Sequence, residues 1–115
     1  MSPILIRLID DSEFSPAVPV GRPIGVVVAN SRTAHHRMLD DRQASTGFWE
    51  CEPGQFRRQV VQAEYSFIVS GEGSFTPDDG ETVEFKAGDV IYFKAQTEGV
   101  WNIRQTVRKS YLILD

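Results

Sequence analysis

The chain has 115 residues, of which 41% are hydrophobic, 10% aromatic and 24% charged; that suits one domain with a core that needs no staples. Twelve Lys and Arg against 16 Asp and Glu leave a formal net charge of −4, so the basic excess that a phosphate backbone demands is missing and nucleic acid is not an expected partner. One Cys (Cys51) and two adjacent His (His35 and His36) exclude an internal disulfide and a Cys-rich zinc site. Neighbouring side chains on a regular strand point to opposite faces, so the two His cannot both ligate one metal from such a strand.

In chain order, the first apolar run, Ile4 to Ile9, is broken by Arg7 and followed by Asp10 and Asp11. It is too short for a signal-peptide core or a membrane span, so the expectation is a cytoplasmic protein with no membrane partner. Four of the six prolines lie in the first 23 residues. Because Pro removes a ladder donor, this stretch reads as an extended arm with two strand candidates, Ile4–Ile9 and Ile24–Ala29. Asn30 to Thr46 is polar and carries both His, and reads as a loop or a weakly paired edge.

Seven of the nine glycines fall from Gly47 onward, and there the text becomes short β runs. Strands are predicted at Gly47–Cys51, Gln55–Val61, Tyr65–Ser70, Ser74–Thr76, Thr82–Lys86, Val90–Phe93, Val100–Gln105 and Lys109–Leu114. The separators are turn residues: Glu52-Pro53-Gly54, Gly71-Glu72-Gly73, Pro77-Asp78-Asp79-Gly80 and Ala87-Gly88-Asp89. No window sustains a helical apolar period, and short strands at close spacing predict an all-β sandwich or barrel.

Two stretches resemble the motifs of the cupin superfamily. Pro53-Gly54 with Glu64-Tyr65-Ser66-Phe67-Ile68-Val69-Ser70-Gly71-Glu72-Gly73 looks like the first motif, and Gly88-Asp89-Val90-Ile91-Tyr92-Phe93 onward to Asn102 like the second. Together with Thr46 to Gly54 and Trp101, the chain looks most like small single-domain cupins grouped with the cupin domain of (S)-ureidoglycine aminohydrolase. The resemblance covers about residues 46 to 114. It implies a jelly-roll barrel, so 1–115 is expected to be one cupin domain, with an N-terminal arm and first strands over 1–45 and the barrel core over 46–114.

The resemblance also implies a metal site, because many cupins hold Mn, Fe, Ni or Zn with two His and a Glu from the first motif and one His from the second. The ureidoglycine aminohydrolase set resembles Glu, His, His and Gln. Carried onto this chain, those positions read Arg58, Val60, Glu64 and Gly99. Only Glu64 offers a donor, so no metal and no cofactor are expected.

Alternation on Tyr65–Ser70 puts Tyr65, Phe67 and Val69 on one face and Glu64, Ser66, Ile68 and Ser70 on the other. The first set is expected to pack as core and the second to line a lumen. If Arg58 shares the phase of Glu64, its guanidinium could pair with that carboxylate where the family has a cation. Glu64 is either a pocket acid or half of a structural salt bridge, and Arg58 a pocket residue or a solvated charge. Trp49 and Trp101 are pocket walls or sheet packing. Tyr92 offers a lumenal hydroxyl or packs at the barrel mouth. Cys51 reads as a small buried thiol, and His35 and His36 as exposed loop residues. The function expected is metal-independent binding of a small polar metabolite in the lumen; the alternative is an aminohydrolase- or isomerase-type enzyme related to ureidoglycine metabolism. A homodimer is expected, with Ile4–Ile9 or Ile24–Ala29 extending the partner's sheet.

Overall fold

The computed structural model describes residues 2–40 and 43–114. Nine strands follow in chain order: β1 (Val18–Pro19), β2 (Arg22–Pro23), β3 (Asn30–Leu39), β4 (Ala44–Cys51), β5 (Gly54–Val60), β6 (Ala63–Pro77), β7 (Val83–Lys86), β8 (Val90–Phe93) and β9 (Thr97–Leu114). The only helical turn among the described residues is a 3-10 turn at Asp11–Glu13, and no helix there is long and apolar enough to cross a membrane. The all-β jelly-roll barrel expected from the sequence is the fold observed.

β9 organises the barrel. Its first half pairs with β5 over Thr97–Ile103 and its second with β4 over Val107–Leu114, while β6 runs along its other edge. One long strand shared among three neighbours forces the sheet to bend, and β7 and β8 continue it from β6. β3 adds to β4, and two-residue β1 and β2 cap the outer strands β3 and β5.

Several expectations are corrected. Gly71-Glu72-Gly73 is not a turn between two strands; β6 runs through it with bulges. Gly71 has φ 89°, and a Cβ there would collide with the Thr106 carbonyl, so glycine allows the strand to bend against β9. Likewise Val100–Gln105 and Lys109–Leu114 are one strand. Asn30–Thr46 is largely β3 and the start of β4 rather than a loop, because β4 offers it a ladder along most of its length; residues 41 and 42 lie outside the described residues. His35 and His36 therefore sit on a strand, at an irregularity between Ala34 and Arg37 where His35 has φ 55°.

Neither arm run is a strand. Ile4–Ile9 has no ladder partner among the described residues, and ends at a capped turn in which the Glu13 carboxylate accepts the Ile9 and Asp10 N–H groups. Ile24–Ala29 is a loop. Gly25 at φ 84° turns the chain away after Ile24, and a bond from Val20 N–H to the Ala29 carbonyl closes it.

The core is aromatic. Around Trp101, only 1% exposed, the rings of Trp49, Phe56, Phe75, Phe85 and Phe93 stand at centroid distances of 5.0–6.3 Å. On β6 the set expected to line the lumen does turn inward, apart from exposed Ser70, but the set expected to pack as core does not. Ser66 and Ile68 are fully buried, whereas Tyr65, Phe67 and Val69 are exposed. Lining a barrel decides which face is inside, and Glu64, Ser66 and Ile68 face the closed side.

Candidate functional site

Alternate residues of β9 are buried: Gly99, Trp101, Ile103, then Val107, Lys109 and Tyr111. Lys109 is the exception in kind, a cation in an apolar register whose side chain is 5% exposed. Its Nζ donates to Glu64 Oε2 at 2.6 Å, and Ser66 Oγ donates to the same oxygen at 2.6 Å. The ammonium also lies over the rings of Trp49 (4.8 Å), Trp101 (5.3 Å) and Phe93 (5.7 Å). A buried charge needs such partners, and ring faces supply negative potential where water is excluded.

The electrostatics follow from burial and pairing. Burial pushes the Glu64 carboxyl up, yet the Lys109 ammonium, the Ser66 hydroxyl and Arg58 together hold it below the usual carboxylate range. Burial pulls Lys109 below the usual lysine range, against the opposing pull of Glu64. The Tyr111 phenol is pushed up to about 12 by burial and by Glu64, so it stays protonated, and its hydroxyl lies 2.8 Å from His36 Nδ1. Gly47 makes room for that hydroxyl, since a Cβ there would come within 2.6 Å of it. Cys51 is fully buried and its thiol is pushed up to about 12 by burial, which leaves no thiolate for nucleophilic work.

Two adjoining lobes open beside the pair. The first, about 110 Å³, is lined by Thr33, Trp49, Arg58, Glu64, Lys109 and Tyr111. The second, about 190 Å³, shares Arg58, Glu64 and Lys109 and adds Trp101, Gln59 and Val60. A wider groove of about 650 Å³ lies between the arm and β3, lined by Leu5, Ile9, Glu13, His35 and His36 among others, but it carries no comparable buried charge.

Four of the five sequence-derived candidates, Arg58, Glu64, Trp49 and Trp101, meet at these lobes. Tyr92 does not: it is 56% exposed on the outer face, across from Tyr65, because β8 pairs with β6 in the register that sends Tyr92 outward with Tyr65. Arg58 does share the phase of Glu64, but the carboxylate pairs with Lys109 instead. Arg58 stands 5.4 Å over Trp49. Lys109 and Tyr111 were not anticipated, although strict alternation from Trp101 through Ile113 would have placed both inside.

The family's metal positions do not suit a metal here. Arg58 carries like charge, Val60 belongs to the apolar core, and Glu64 is taken by Lys109 and Ser66. Gly99 has no space for a ligand: a Cβ there would collide with the Thr76 carbonyl and stand 2.8 Å from the Phe75 ring. Among the described residues, no three His, Cys, Asp or Glu come together as a ligand group. The donor chemistry disagrees with a transition-metal centre.

A family model described as an EutQ-like cupin domain matches residues 39–111. Among solved structures, the chain is similar to an ethanolamine utilization protein Q from Salmonella typhimurium LT2, at 20% identity over 95% of this chain and 85% of that one, with TM-score 0.64. It is also similar to a DUF861 family protein from Thermotoga maritima, at 28% identity over 56% and 73%, with TM-score 0.54. Ectoine synthase from P. lautus matches at 18% identity over 80% and 67%, with TM-score 0.60. No curated protein sequence matches significantly. These findings support the cupin superfamily and do not reach the ureidoglycine aminohydrolase group. The chain belongs to the EutQ-like cupin domain family.

Proposed function

We propose that the chain is a metal-independent cupin domain that binds a small polar molecule in the barrel lumen. The observation that carries this reading is the Lys109–Glu64 pair. At the one family ligand position that keeps a donor, the chain's own ammonium lies 2.6 Å away, beside two small lobes with further polar groups. Elemental analysis of protein purified without chelators is expected to find no stoichiometric Mn, Fe, Ni or Zn; a full equivalent of any of them overturns the reading. A thermal-shift screen against ureides, amino acids and sugar acids is expected to give a concentration-dependent stabilisation that Glu64→Gln weakens.

A second reading, turnover of the aminohydrolase or isomerase type related to ureidoglycine, is favoured by one feature. Lys109 is an amine pulled below the usual lysine range by burial, held against a carboxylate that keeps its charge. Tyr92, on the outer face, cannot be the partner of Glu64 in such chemistry. Ammonia release from ureides by the wild type, absent in Lys109→Met, would establish it.

We also propose a homodimer. The arm leaves Leu5 and Ile9 exposed, and the outer face of β6 and β8 leaves Tyr65, Phe67 and Tyr92 exposed, apolar surface of the kind that partners cover. Removing the first nine residues is expected to lower the mass seen by light scattering; an unchanged mass sinks the arm-mediated version.

A further inference from the structure

We propose that the lumen recognises a small monocarboxylate, read by the Arg58 guanidinium, in preference to a neutral ureide or amide. This rests on the metal-free binding reading above and names its ligand class. Among the side chains lining the two lobes, the charged groups are Arg58, Lys109 and Glu64. Glu64 and Lys109 satisfy one another at 2.6 Å, so one positive charge is left uncompensated, on Arg58. That guanidinium is half-buried and stacks over Trp49, and it makes no hydrogen bond or ion pair with any described residue. Its chain neighbour Arg57, pointing to the opposite face, is paired with both Asp78 and Glu98. Two adjacent arginines on one strand thus differ in having their anions built in or left out.

A second observation bears on the polarity of the lumen and not on the charge of its ligand. The indole Nε1–H of Trp101 is buried without a hydrogen-bond partner, and Trp101 lines the second lobe beside Arg58. A buried donor of this kind calls for an acceptor. The nitrogen presents no surface to the lobe, so a ligand oxygen reaches it only if the Trp101 side chain shifts, and the charge preference rests on the guanidinium. The fork of N–H groups on Arg matches a carboxylate in bidentate fashion.

Size narrows the class further. The adjoining lobes, about 110 and 190 Å³, together reach only the bottom of the range of about 300–1,000 Å³ common for ligand pockets. A short hydroxy acid fits that room; a nucleotide or a sugar chain does not. Glu64 would repel an anion were it not neutralised by Lys109, so the pair both replaces the metal and makes the neighbouring space tolerant of a second carboxylate.

The test is isothermal titration of the full chain, at low chloride, with glycolate and lactate against their neutral isosteres glycolamide and lactamide. The acids are expected to bind about tenfold tighter or better than the amides. Arg58→Gln is expected to erase that difference with the unfolding midpoint unchanged, and Arg58→Lys to restore part of it, having the charge without the fork. Equal binding of acid and amide, or an undiminished preference in Arg58→Gln, overturns the monocarboxylate assignment and leaves the small-molecule reading standing. No binding of any of the four compounds, in a protein that also gives no thermal shift with ureides, amino acids or sugar acids, overturns both. Should Arg58→Gln fail to fold, the wild-type acid-to-amide ratio and the Arg58→Lys titration still decide the matter.

Discussion

Arg108 and Lys109 are neighbours on β9, yet they build opposite kinds of ionic cluster. Arg108 points outward, where it donates to Glu50 at 2.6 and 3.0 Å and to Asp11 at 3.0 Å. Arg32 joins the same Glu50, and both guanidiniums lie over the Phe14 ring. Lys109 points inward to Glu64, with Trp49, Trp101 and Phe93 around it. Each cluster has a cation, a carboxylate and an aromatic ring; they differ in water. The outer one pins the arm to the barrel through Asp11, which is largely exposed, while Glu50 and the two guanidiniums are partly covered. The inner one is desolvated, so its members are tolerable only together.

The sharpest way to break this contrast is to remove one partner of the inner pair. Glu64→Ala should cost about 3–5 kcal/mol in denaturant unfolding, since it strands a buried ammonium. The double variant Glu64→Gln with Lys109→Met should recover most of that loss. A single-variant cost below about 1 kcal/mol would mean that the pair is hydrated after all. Next in size, Gly99→Ala forces a methyl against the Thr76 carbonyl and the Phe75 ring, and should lose about 1–3 kcal/mol by overpacking. A neutral result there would reopen room for a ligand at that position.

The acid limb sharpens the comparison. The Glu64 carboxyl lies below its ordinary 4.5 in the folded state. Its contribution is therefore complete above that unfolded value and is lost as pH falls through the folded one. Glu64→Gln should flatten the fall of Tm on the acid side of pH about 4.5; an unchanged limb would assign acid unfolding to other carboxylates. The smallest effect belongs outside: Asp11→Ala should cost at most about 1 kcal/mol, shrinking further in high salt. A large, salt-independent cost would show that the arm is part of the core.

Much of the fold was legible. Val90–Phe93 was predicted residue for residue, and the turns at Pro77–Gly80 and Ala87–Asp89 lie where Gly, Asp and Pro place them. The misjudged segments are those where local cues mislead. Gly71-Glu72-Gly73 has turn composition but is a bend inside β6, because β9 supplies a continuous ladder. Ile24–Ala29 has strand composition, but after one bond from Ile24 N–H to the Gln55 carbonyl the chain turns off β5 at Gly25. At the site, Glu64, Arg58, Trp49 and Trp101 were legible from motif and parity. Lys109 was not, because dividing β9 after Gln105 discarded the alternation that aligns Lys109 with Trp101.

Period two sorts residues into two faces from the chain alone, and with the turn residues it determined a many-stranded β fold and which side chains travel together. It carries no label for the inner face: on β6, Tyr65, Phe67 and Val69 are the more apolar set and still lie outside. Closure of the barrel, a property of strands far apart in sequence, encloses the polar set Glu64 and Ser66 as expected, and it alone decided that the apolar set faces outward. The same closure brought Lys109 from 45 residues away to the carboxylate and left Arg58 without an ion-pair partner among the described residues.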